Sequence, residues 1–117
     1  PLCTTGIGKA ILANLPPEEW LSRLPEVIPA HTPQTITDKD RILQELQSTR
    51  ERGFAIDNCE HELNVRCVGV PVYNARGALV AGISSSGAMQ VMTDRKIMEC
   101  ADILMGITQR IKERLYA

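Results

Sequence analysis

Two apolar runs, residues 65–73 and 78–86, flank the tetrapeptide Asn74-Ala75-Arg76-Gly77. Short runs rich in β-branched residues read as strands, and a turn ending in glycine folds one back on the other. An isolated hairpin is at best marginal in water, so the rest of the chain must cover it. Alternation assigns the faces. Val68, Val70 and Val72 share one side of the first strand and read as core, with Val65, Cys67 and Gly69 on the other. In the second strand Val80, Gly82, Ser84 and Ser86 share a side, opposite Leu79, Ala81 and Ile83. Ser84 and Ser86 then point the same way, about 7 Å apart, and hairpin pairing brings Cys67 close to them.

The segments around the hairpin read mostly as helices. Gly6 to Ala13 follows Thr5, a candidate N-cap. Pro16-Pro17 opens a second short helix over residues 18–24, which Pro25 ends. Three prolines in residues 25–36 mark an extended connection. A third helix starts at residues 37–40, carries Ile42, Leu43 and Leu46 on one stripe, and stops at Gly53. Phe54-Ala55-Ile56 reads as a short strand and residues 57–62 as a polar loop. The last helix starts at Thr93-Asp94 and repeats Ile97, Ala101, Leu104, Ile111 and Leu115 at helical spacing to the C-terminus. This order predicts a single α+β domain, an antiparallel sheet with helices packed on it.

Composition narrows the function. A chain of 117 residues suffices for one core, and with 3% aromatic residues that core must be aliphatic. A formal charge of −1 gives no electrostatic footprint for nucleic acid or anionic lipid. The four cysteines lack the spacing of a disulfide framework, and no apolar run reaches membrane length. A reduced, cytoplasmic setting is expected. Because the chain opens at Pro1 without an initiator Met, it is expected to be part of a longer protein.

Few residues offer chemistry. Gly6-Ile7-Gly8-Lys9 suggests a phosphate loop, but Cys3 and Ala10 stand where that motif needs Gly and Ser or Thr. What survives is a glycine-lined helix start, whose free N–H groups attract carboxylate or phosphate. Cys59, His61 and Cys67 lack the paired spacing of a zinc site. Ser84, His61 and Asp57 lack the nucleophile elbow of a hydrolase. Taken singly, Asp57 reads as a turn former, Cys67 as a small core residue and the serines as solvated strand-end groups. Arg110, Lys112 and Arg114 read as a solvated helix end.

Taken together, Gly6-Ile7-Gly8-Lys9-Ala10, Arg52-Gly53-Phe54-Ala55-Ile56-Asp57, Glu60-His61-Glu62, residues 65–72 and Ser84-Ser85-Ser86-Gly87 resemble the IclR family of bacterial transcription regulators. The resemblance covers essentially the whole chain and points to the C-terminal, GAF-like effector-binding domain. It implies a winged helix-turn-helix outside this chain, through which the parent protein binds DNA, and assembly as a homodimer or homotetramer. It also implies a small organic acid effector, no cofactor and no enzymatic activity. The cradle it implies is Thr5, Gly6, Ile7, Asp57, Cys67, Ser84 and Ser86. Two departures, Cys3 where relatives often carry a polar residue and Ser85 where a larger apolar one is common, bear on pocket size and polarity.

The expected site is a neutral, donor-rich hollow at the strand tips. Amides near Gly6 and the hydroxyls of Ser84 and Ser86 hold the carboxylate, Asp57 accepts from a ligand hydroxyl, and Cys67 lines the wall. Sugar-derived acids suit such a pocket best. The alternatives are a thiol enzyme centred on Cys67, as in the sulfoxide reductases that share GAF-like folds, and an oligomerisation module without ligand.

Overall fold

The computed structural model describes residues 3–115. Three strands, β1 (Ala55–Asn58), β2 (Val65–Tyr73) and β3 (Leu79–Ala88), form one antiparallel sheet with β2 in the middle. Four α-helices accompany them: α1 (Gly6–Ala13), α2 (Trp20–Arg23), α3 (Lys39–Arg52) and α4 (Asp94–Arg114). The expected α+β class and antiparallel sheet are what the chain adopts.

Element boundaries follow local chemistry. Thr5 caps α1 by accepting from the Gly8 amide at 3.0 Å, and Thr93 caps α4 by accepting from the Lys96 amide at 3.3 Å. Gly53, at φ +90°, ends α3 in the left-handed conformation that side chains avoid. The hairpin turns on Asn74, whose Oδ1 accepts from the Arg76 and Ala78 amides, with Gly77 at φ +81°.

Three boundaries differ from expectation. The second short helix is a 3-10 turn, Pro17–Glu19, running into a four-residue α2 that stops at Arg23, because Leu24 precedes Pro25 and is held extended. The first strand runs to Asn58, so Asp57 lies on the sheet and not in the loop, held by pairing with Cys67. The helix expected to reach the C-terminus ends at Arg114, and residues 116–117 lie outside the described residues.

The sheet separates two apolar clusters. Val68 and Val70, with Phe54, bury against Ile97, Ala101 and Met92 on the α4 side. On the other side α1 lies directly on the sheet, and its far flank packs Leu12 and Ala13 against Trp20, Leu24, Ile42 and Leu46. The layers therefore run α4, sheet, α1, then α2 and α3. Gly69 permits this closeness: a Cβ there would meet the Gly6 carbonyl and lie 2.8 Å from the Ile7 nitrogen. The N-terminus of α1 is thus held against the middle strand, beside the two serines.

Candidate functional site

Pairing across the sheet puts Asp57, Cys67 and Ser86 in one row, since Asp57 opposes Cys67 and Cys67 opposes Ser86. The next row is Ala55, Gly69 and Ser84. Directly opposed residues share a face, and this is the face α1 covers. Where α1 begins, its first turn and the strand ends enclose an open cavity of about 320 Å³. Thr5, Gly6, Ile7, Asp57, Cys67, Ser84 and Ser86 all line it. The seven residues singled out in the sequence therefore meet in one place.

The cavity has three further wall residues, His61, Glu62 and Val65. His61 is steadied by a 3.1 Å hydrogen bond between Nδ1 and the Thr4 hydroxyl, and its ring lies 5.0 Å from that of His31. Glu62 adds a second carboxylate, so the hollow is not neutral. Alternation already placed Val65 on the Cys67 face of β2, but no local signal marked His61 and Glu62 as wall, because they sit there only through the path of the loop joining β1 to β2. Cys59 in that loop takes φ +58° and Asn64 takes φ +62°. The Cys59 amide donates to the Val65 carbonyl, while the Thr32 and Thr35 hydroxyls hold the Cys59 and Glu60 carbonyls from outside.

The polar groups are unequally free. One Asp57 oxygen accepts from the Glu60 amide at 2.8 Å, and the side chain is buried. Asp57 is thus both the turn former it resembled in isolation and a cavity wall. Ser84 and Ser86 are exposed and open onto the hollow. Of the α1 amides, Gly8 and Lys9 are spent on Thr5. Those of Gly6 and Ile7 begin the helix, where no intrahelical acceptor precedes them.

Cys67 is a poor nucleophile. Burial first, and then the adjacent Asp57 carboxylate, push its thiol up to about 11, against a smaller opposing influence from the Ser86 hydroxyl. Almost no thiolate exists at neutral pH, which removes the basis of the thiol-enzyme alternative. Among the described residues, no group of three or more His, Cys, Asp or Glu side chains is placed to hold a metal ion. Nor, among them, is any helix long and apolar enough to cross a membrane.

Lys9, which suggested a phosphate loop, does something else. It is 1% exposed and donates to both oxygens of Glu60, at 2.9 and 2.8 Å. Glu60 is buried too, and its second oxygen also accepts from the Asn58 amide. Burial pushes the Glu60 carboxyl up, and the Lys9 charge opposes that only in part. This ion pair ties α1 to the loop and so holds the two sides of the cavity together.

Comparison with known proteins agrees with this architecture. Residues 1–113 match the family described as bacterial transcriptional regulator IclR C-terminal. The HTH-type transcriptional regulator BhcR of Paracoccus denitrificans is 34% identical over 105 residues, which is 89% of this chain and 38% of that protein. The crystal structure of Thermotoga maritima IclR superposes with a TM-score of 0.89 at 38% identity, over 99% of this chain and 47% of that one. The inducer-binding domain of the transcription factor PobR from Acinetobacter, solved as a double mutant with 3-hydroxybenzoic acid, superposes at 0.85 with 27% identity. That match covers 96% of this chain and 65% of the PobR domain. The chain therefore spans less than half of the BhcR and IclR chains it matches. It belongs to the IclR C-terminal family, a family of transcriptional regulators and not of enzymes.

Proposed function

We propose that this IclR-type domain is a sensor that captures a small organic acid in the α1–sheet cavity and passes occupancy to a DNA-binding helix-turn-helix outside the chain. One observation carries the reading: exposed hydroxyls, the start of a helix and two carboxylates surround a single open hollow. A ligand carboxylate accepts from Ser84, Ser86 and the first amides of α1, each charge-assisted bond contributing about 1.5–3 kcal/mol. Asp57 and Glu62 accept from ligand hydroxyls and repel a second carboxylate, which favours hydroxy acids, sugar-derived acids among them, over dicarboxylates. A volume of about 320 Å³ suits a small metabolite. The 3-hydroxybenzoic acid in complex with the PobR double mutant is itself a hydroxy acid, which supports the same class.

Regulation follows if the acid binds one arrangement of α1 and the β1–β2 loop better than another, and so shifts the assembly. Met98 and Ile103 on α4, with Val91 beside it, are exposed apolar side chains that a second copy would cover, giving a homodimer or homotetramer in the cytoplasm. Sedimentation of the chain tests that part.

The effector reading is tested by a thermal-shift screen of keto, aldonic and aromatic acids, followed by calorimetry. A ligand at a hundred times its Kd adds about 2.7 kcal/mol of stability. Removing both hydroxyls in Ser84→Ala/Ser86→Ala should weaken binding by about two orders of magnitude or more. If no acid stabilises the protein, the ligand-free oligomerisation module replaces this reading. Unchanged affinity in the double variant defeats the assignment of the two serines.

A further inference from the structure

On the other side of β1 lies a second, larger cavity of about 520 Å³, and it shares no lining residue with the first. Three arginines from separate parts of the chain reach it: Arg41 in the first turn of α3, Arg52 in its last turn, and Arg66 on β2. Glu45 and Glu60 also line it, and both already hold cations. Glu45 accepts from Arg52 at 3.1 Å and lies 3.7 Å from Lys9, while Glu60 takes both of its Lys9 contacts.

Two donors are left over. Arg41 is exposed and has no ion-pair partner among the described residues. The Arg66 side chain is 15% exposed, and its outer nitrogens donate to the Met92 carbonyl at 2.7 Å and to Asp94 at 2.9 Å. Its Nε, however, is buried without a hydrogen-bond partner. A buried guanidinium N–H left unpaired is costly and needs an explanation.

We propose that this cavity is a second binding site, for the phosphate group of a small phosphorylated metabolite. Guanidinium groups match phosphate oxygens in planar, charge-assisted pairs. Arg41 and the Arg66 Nε supply the free donors, with Arg52 fixed in the wall by Glu45 and by the Phe54 carbonyl. The volume exceeds what a phosphate fills, so the rest of the metabolite has room. The Asp94 side chain is 95% exposed and can leave Arg66 as the anion arrives. The site is independent of the organic-acid pocket, and its success or failure leaves that reading untouched.

The test is nitrogen-detected NMR of the arginine Nε–Hε signals during titration with inorganic phosphate, with sodium chloride at matched ionic strength as the control. The Arg66 signal is expected to move saturably with phosphate and not with chloride. Arg41→Gln, an exposed position chosen because it leaves the Arg66 contacts intact, should weaken phosphate binding about tenfold or more. Arg76→Gln removes the same charge at the distant hairpin turn and should leave the affinity as it was. An Arg66 signal that stays fixed overturns the site. So does equal weakening by the two variants, which would mean general charge attraction.

Discussion

Replacing Gly69 with alanine puts a methyl group where the start of α1 already rests. The added Cβ would sit 2.8 Å from the Ile7 nitrogen and closer still to the Gly6 carbonyl, distances that real Cβ atoms do not tolerate. Both neighbours are backbone, so no side chain can rotate away. Either α1 lifts or the central strand bends. Overpacking of this kind costs about 1–3 kcal/mol, and backbone-against-backbone contact places Gly69→Ala toward the upper end. Relief of glycine's entropy in a strand returns about 0.5–1 kcal/mol, which leaves a net loss of about 2 kcal/mol. With a urea m-value of about 1–3 kcal/mol/M, the unfolding midpoint should fall by about 0.7–2 M.

Two sister variants calibrate the reasoning. In Gly82→Ala the new methyl meets the Ile7 Cγ2 at 3.2 Å, and that side chain is exposed and can turn aside. Its midpoint should barely change. Gly6→Ala would approach the Gly69 nitrogen at 3.2 Å and should fall between the other two. Urea unfolding followed by circular dichroism ranks the three. If Gly69→Ala unfolds at or above the midpoint of Gly82→Ala, the close seating of α1 on β2 is wrong, and the cavity geometry built on it fails as well.

Other outcomes follow from the same structure. Lys9→Met strands the buried Glu60 carboxylate and should cost about 3–5 kcal/mol, while Lys9→Met/Glu60→Leu should recover much of that, read by denaturant unfolding. Because the Glu60 carboxyl is already raised by burial, the single variant's deficit should shrink as pH falls through the Glu60 pKa, where protonation removes the unpaired charge. A deficit that grows on acidification would contradict this. Peptide-resolved alkylation against pH should place the Cys67 inflection at about 11, and Asp57→Asn should bring it down by removing the neighbouring negative charge. An inflection near the ordinary thiol value in the unmodified protein would reopen thiol chemistry at that position. Thr5→Ala should lower stability by about 1 kcal/mol through loss of the α1 cap, measured in the same unfolding assay.

Part of the candidate site is legible in the sequence because it is built from local regularities. Alternation put Val68 and Val70 on the buried face and Ser84 with Ser86 on the other, and a short turn left little freedom in the pairing of β2 with β3. That pairing brought Cys67 close to the two serines, but Cys67 stands opposite Ser86 only through the register shift between Val72 and Tyr73. The Thr5 and Thr93 caps and the Gly53 stop likewise depend only on residues within a few positions. Asp57 was identified as a wall residue through family resemblance, yet its place on β1 was misread, since a lone acid among polar residues looks like loop until a partner strand pairs with it.

Residue order alone thus determined most element types, the faces of the hairpin and the shared side of Ser84 and Ser86, because dihedral preference and periodicity act over a few residues. The wider cradle was legible only through family resemblance. Only the tertiary structure decided that Lys9 meets Glu60 across 51 positions, that α1 rests on Gly69, and that His61 and Glu62 turn toward the serines. It alone exposed the arginine-lined cavity behind β1. These contacts join parts of the chain with no local reason to meet. Their energy comes from burying one apolar cluster between the sheet and α4 and another between α1 and the segments of α2 and α3, and that packing selects which distant groups become neighbours.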